Sequence, residues 1–234
     1  MVVAFLFLFL LRGTGAVTLF SIVVSLTATV FSLFSKEKRS FRKQVFTTWL
    51  YTLNSIKYFI GIVPPEDIYQ TVLNIQNQFG DNRLEPHITL RPPVTVIDET
   101  SWINTIEIVC SAFSPIQISL PATGNFGNRV LFIDVKSKTL ASLHDSITEA
   151  IKPFEQAESK QQESRSFNPH LTLGRAWCGF TRQDFASMKI LATEYLSKEP
   201  IAFEAGFVRV YHKPSSQGKY QTLVDIPLSS NPIT

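Results

Sequence analysis

Pro86-His87-Ile88-Thr89-Leu90 and Pro169-His170-Leu171-Thr172-Leu173 are the two stretches that decide how this 234-residue chain is read. Each is a short apolar run with one polar side chain at every second position. That alternation is the signature of a half-buried strand. His87 and Thr89 share one face, while Ile88 and Leu90 share the other. The second copy repeats the arrangement with His170 and Thr172 outward and Leu171 and Leu173 inward. A single His-x-Thr is an ordinary exposed strand face. Two copies, each preceded by Pro and each continuing to Leu, point to one site divided between two strands.

The flanking pattern is also duplicated. Tyr58 to Val63 reads as a strand ended by Pro64-Pro65. Residues 66–79 place Ile68, Val72, Ile75 and Phe79 at helical spacing. The first His strand, His87 to Arg91, is stopped by Pro92-Pro93. A helix over 100–112 follows, with Thr100 as its cap, and then a strand over 116–120. The order restarts with a strand at Val130 to Val135 and a helix over 139–154. After a polar loop, Glu155 to Ser166, come the His strand 170–173 and a helix over 181–197 capped by Thr181. Phe203 to Tyr211 reads as one strand. Tyr220 to Ile226 returns across the Pro214-to-Gly218 turn. The unit strand–helix–His strand–helix–strand thus occurs twice, with Phe59 matching Phe132 and Ile118 matching Phe203. Such a repeat predicts two lobes, about 57–127 and 128–228 with strands open to exchange, meeting at a pseudo-twofold cleft.

Two imidazoles and two hydroxyls around one small volume suit a phosphodiester. Imidazole titrates nearest neutrality, so one ring can take a proton while the other gives one. The hydroxyls of Thr89 and Thr172 can donate to non-bridging phosphate oxygens. Arg175 can add a fixed positive charge, but its strand parity is wrong unless the chain bends or bulges at Gly174. Tyr211 is a candidate base-stacking residue and Phe132 a weaker one. His144, beside Asp145 on a helix, and His212, near a turn, read as solvated.

Composition sets the limits. Residues 1–57 hold seven basic residues and one acid, which leaves 15 basic and 18 acidic residues in 58–234. The net charge of +3 therefore misdescribes the globular part, and a long phosphate track is not indicated. The four histidines and two cysteines show no metal-ligand spacing, so neither metal nor cofactor is expected. Cys110 and Cys178 read as free thiols in a reducing compartment. Residues 1–56 form a hydrophobic segment with a basic linker. Residues 13–34 carry no charge and are long enough to span a membrane, and the basic cluster Lys36 to Lys43 would keep the globular part on the cytoplasmic side. The competing reading is a true start near Leu53, with a cytoplasmic protein.

The paired His-x-Thr-Leu strands, the opening Tyr58-Phe59-Ile60-Gly61-Ile62 and the continuation Leu173-Gly174-Arg175 resemble the two-histidine phosphoesterase superfamily. Within it they are similar to the bacterial 2′-5′ RNA ligase / RNA 2′,3′-cyclic phosphodiesterase group. The resemblance implies a bilobal α+β fold in which two antiparallel sheets line a central cleft with helices outside. It implies metal-independent opening of a 2′,3′-cyclic phosphate on an RNA end or a nucleotide, reversible in some members as 2′-5′ joining of RNA ends. It makes His87 and His170 the acid–base pair, Thr89 and Thr172 phosphate ligands and Arg175 a further contact, in a protein expected to be a monomer. The alternative is a non-catalytic module that holds a nucleotide or RNA end in the same cleft. The segment 1–35 is not typical of the family.

Overall fold

The structure is a computed structural model, and it describes residues 56–79, 85–156, 166–215 and 218–229. The hydrophobic segment 13–34 and most of the polar loop, 157–165, lie outside the described residues. Among the described residues no helix is long and apolar enough to cross a membrane.

The first unit runs β1 (Lys57–Ile62), α1 (Glu66–Asn77), β2 (Ile88–Thr95), α2 (Glu99–Ser111) and β3 (Ile116–Leu120). A short strand, β4 (Thr123–Phe126), precedes the second unit. That unit runs β5 (Val130–Asp134), α3 (Leu140–Ile151), β6 (His170–Arg175), α4 (Arg182–Ser197) and β7 (Ile201–Ala205). The chain ends with β8 (Phe207–Lys213) and β9 (Gln221–Pro227). The expected α+β duplication is present element for element. The helices follow local signals. In α1, Ile68, Val72 and Ile75 fall on one buried face, and in α3 Leu140, Leu143, Ile147 and Ile151 do the same. Thr181 caps α4 in a reciprocal pair with Asp184, as its position suggested.

Seven strands form one antiparallel sheet in the order β4-β5-β6-β2-β1-β8-β9. The two sheets expected to line the cleft are its two halves, joined at the paired residues Ile88 and Leu171. The C-terminal strands cross back to the first half, where β8 pairs with β1. A separate two-stranded sheet joins β3 to β7, with Ile118 opposite Phe203. Those are the two residues matched by the sequence repeat, so equivalent strands face each other across the pseudo-dyad. Ile60, Ile62, Ile88, Leu90, Leu171 and Leu173 send one face of the large sheet into a core shared with all four helices.

Three local expectations are corrected. The cap of α2 is Asp98, whose carboxylate accepts from the Ser101 N–H at 3.2 Å, and not Thr100. Strand β2 continues through Pro92-Pro93 to Thr95, because the prolines fall where its register against β1 shifts and no ladder donor is required. The segment 203–211 is two strands divided at Gly206, since β7 pairs with β3 while β8 pairs with β1. Strand β4 was not anticipated: only four residues long, it is held by β5. Both cysteines are free, and burial pushes the Cys110 thiol up to about 12.

Candidate active site

The face of the large sheet opposite the core carries a second set of side chains. Ile88 and Leu171 are paired across the pseudo-dyad and point into the core. Their neighbours along the chain, His87, Thr89, His170 and Thr172, therefore project to the other face. Antiparallel register sets His87 across from Thr172 and Thr89 across from His170, so the four side chains surround the dyad. The alternation read from sequence produces this only because the two strands meet at their central apolar residues.

Each imidazole is held in the same way. His87 Nδ1 lies 2.7 Å from the Glu85 carbonyl oxygen, and His170 Nδ1 lies 2.8 Å from that of Asn168. A carbonyl only accepts, so Nδ1–H is the donor in both rings and Nε2 is the nitrogen left to exchange a proton. Each ring also leans on a phenylalanine. Phe59 is 5.1 Å from His87 at 50°, and Phe132 is 5.0 Å from His170 at 52°. The supports are alike in contact but not in register, because Phe132 pairs with Thr172 while Gly61 pairs with Thr89. A Cβ at Gly61 would stand 3.2 Å from the Ile88 carbonyl oxygen and 3.4 Å from His87 Cδ2, which keeps that position bare.

The bulge that Arg175 needed is present. Leu131 pairs with Gly174 and Phe132 with Thr172, so Leu173 is an extra residue in β6. Leu173 and Gly174 are both buried, and Arg175 emerges half-buried on the parity of His170 and Thr172. Gly174 fits tightly beneath α4, where a Cβ would lie 3.2 Å from Met188 Sδ. The same bulge occurs in β2, with Leu90 as the extra residue and Arg91 in the place of Gly174. Arg91 turns inward, and its Nε donates to Glu155 Oε1 at 3.0 Å in a buried ion pair.

Electrostatics separate the two histidines. His87 is 7% exposed, and desolvation by burial lowers its pKa from 6.5 to about 4, with the Arg175 charge adding to the effect. His170 is also lowered, by burial first and by Arg175, while the Asp134 carboxylate works in the opposite direction. Arg175 thus influences both rings, as a charge at the centre of the site would.

A model of the 2′-5′ RNA ligase superfamily matches residues 64–205, more than half of the chain and inclusive of both His strands. The chain belongs to that superfamily. A Bacillus subtilis (strain 168) protein named RNA 2′,3′-cyclic phosphodiesterase is 31% identical over 137 residues, which cover 52% of this chain and 72% of the relative. Among solved structures, TT0787 of Thermus thermophilus matches with a TM-score of 0.56 at 16% identity, over 74% of this chain and 97% of that one. That likeness supports the fold alone. Escherichia coli LigT complexed with NADP+ matches with a TM-score of 0.49 at 14% identity, over 75% of this chain and 99% of that one.

Tyr211 does not occupy the place expected of it. It is 1% exposed, its ring is stacked on Phe59 at 4.2 Å, and its hydroxyl donates to Glu85 Oε1. With one ring face covered and almost no surface left, it supports the site from below and offers no platform to a base. Phe132, 4% exposed against His170, is likewise a support. His144 is stacked on Phe167 at 4.0 Å and its Nδ1 lies 2.9 Å from Asp145 Oδ1.

Glu85 was missed by sequence reasoning. Its carbonyl fixes His87, and its carboxylate accepts from Tyr211, from Arg209 Nη1 at 3.1 Å and from the Tyr69 hydroxyl at 3.4 Å. Arg209 in turn holds Asp225. The one available signal was its position two residues before His87, where Asn168 precedes His170. Among the described residues no group of three or more His, Cys, Asp or Glu side chains is placed to hold a metal ion.

Proposed function

We propose that this protein is a phosphodiesterase that opens 2′,3′-cyclic phosphates on RNA ends or nucleotides by acid–base catalysis between His87 and His170, without a metal. The observation that carries the reading is the matched pair of imidazoles, each with Nδ1–H tied to a carbonyl two residues upstream and Nε2 left for chemistry. The name of the Bacillus subtilis relative, RNA 2′,3′-cyclic phosphodiesterase, supports the same substrate class.

His87, kept neutral by burial, is the base. It takes a proton from water as the water oxygen attacks phosphorus. His170, less buried and near Asp134, is the acid. Entering the step as an imidazolium, it gives its Nε2 proton to O3′ as the P–O3′ bond breaks, leaving a 2′-phosphate and a 3′-hydroxyl. Thr89 and Thr172 donate to the non-bridging oxygens, and Arg175 offsets their charge. With an RNA 5′-hydroxyl in place of water the same steps form a 2′-5′ linkage.

The test is turnover of 2′,3′-cyclic AMP and of oligoribonucleotides ending in a cyclic phosphate, with the full chain and with His87→Ala and His170→Ala. Each variant should lose about 10²- to 10⁴-fold in kcat/KM. A folded variant that stays within about tenfold of the parent would remove its histidine from the mechanism.

A further inference from the structure

The second half of the sheet carries a surface that the acid–base chemistry does not use. Phe126, 40% exposed at the end of β4, sets its ring edge-on to His170 at 5.1 Å. Beyond it the hairpin tip packs on the single turn Ala176–Cys178, where the Ala176 N–H donates to the Arg129 carbonyl at 2.8 Å. That turn holds Trp177 out to solvent at 66% exposure, with the Arg175 guanidinium carbon 5.9 Å from its ring centroid. An exposed tryptophan fixed beside a cationic site is an unusual use of so large an apolar side chain. Between the hairpin and α4 lies a hollow of about 430 Å³ whose lining includes Asn125, Asn128, Arg182, Phe185 and Lys189. Arg129, Arg182 and Lys189 are exposed and make no ion pair among the described residues. The nearby Asp184 is engaged by Thr181 in the α4 capping box.

We infer that this edge is a second nucleotide subsite, in which Trp177 stacks the base adjacent to the reacting terminus and Arg182 and Lys189 hold the neighbouring phosphates. The inference rests on the phosphodiesterase reading and narrows it: the substrate is the end of a single-stranded RNA, not a free cyclic mononucleotide. Stacking on an aromatic ring accepts any base, and charge contacts to phosphate make binding salt-dependent. The excess of acids elsewhere in residues 58–234 keeps the track short.

The experiment compares kcat/KM for 2′,3′-cyclic AMP and for a penta-adenylate ending in a 2′,3′-cyclic phosphate, using the full chain. The parent protein should prefer the pentamer by about tenfold or more. Trp177→Ala should lower that preference about fivefold or more, Trp177→Phe should restore most of it, and Arg182→Ala/Lys189→Ala should lower it and flatten its salt dependence. A parent with no preference, or a preference that survives in both variants, overturns the subsite. A parallel titration follows quenching of tryptophan fluorescence by a penta-adenylate carrying a 3′-phosphate and by 3′-AMP. If neither cyclic phosphate is turned over, the phosphodiesterase reading fails, and the titration still decides the subsite. Tighter binding of the pentamer that is lost in Arg182→Ala/Lys189→Ala upholds it, and equal binding of the two ligands overturns it.

Discussion

Replacing His87 by asparagine should change how stability depends on pH, because burial holds this imidazole neutral. Its pKa falls from 6.5 to about 4 in the folded protein. The folded value is the lower one, so as pH drops the unfolded chain takes up the proton first. The folded state therefore loses stability from about pH 6.5 down to about pH 4, and the contribution is flat above that window. The full difference is worth about 3 kcal/mol, of which about 2 kcal/mol falls between pH 7 and pH 5. His87→Asn lacks this component, while His170 and the carboxylates remain in both proteins. Urea unfolding of the full chain and of His87→Asn at pH 7 and pH 5 isolates it, provided the slopes against urea agree. The parent should lose about 2 kcal/mol more than the variant. Losses equal to within about 0.5 kcal/mol would show that His87 is not desolvated, and its assignment as the neutral base would lose its physical ground.

Three further outcomes follow from particular contacts. Gly124→Ala would place a Cβ 2.4 Å from Phe132 Cε2, so it should cost about 1–3 kcal/mol in thermal unfolding and lower kcat/KM by displacing the ring that supports His170. Arg91→Ala should cost about 3–5 kcal/mol by stranding the buried Glu155 carboxylate, while Arg91→Met/Glu155→Leu should recover most of that stability; equal losses would refute the ion-pair account. Glu85→Gln should move the acid limb of the kcat/KM–pH profile to lower pH, because the Glu85 charge raises the His87 pKa. An unmoved limb with unchanged kcat would mean that Glu85 does not act on His87.

What was legible in the sequence was whatever a strand or a helix states locally. His-x-Thr alternation needs two residues of context, and it put the His and Thr of each strand on one face before any fold was known. The same holds for the Thr181 cap and for the apolar stripes of α1 and α3. Where two local signals competed, the reading failed: Asp98 and Thr100 both suit a cap, and only the helix start at Glu99 chooses between them. Pro92-Pro93 reads as a stop because a proline cannot donate, yet a register shift removes the need for that donor.

The sequence by itself determined the duplicated unit, the polar face of each His strand and the superfamily to which the chain belongs. Tertiary structure alone decided how those faces become one site. The pairing of Ile88 with Leu171 brings the two strands together, and the bulge at Leu173 turns Arg175 toward the histidines. The burial that lowers the His87 pKa and the Glu85 carboxylate that braces Tyr211 and Arg209 also arise from residues far apart in the chain. Register, desolvation and charge proximity are properties of chain segments meeting in space, and no window along the sequence contains them.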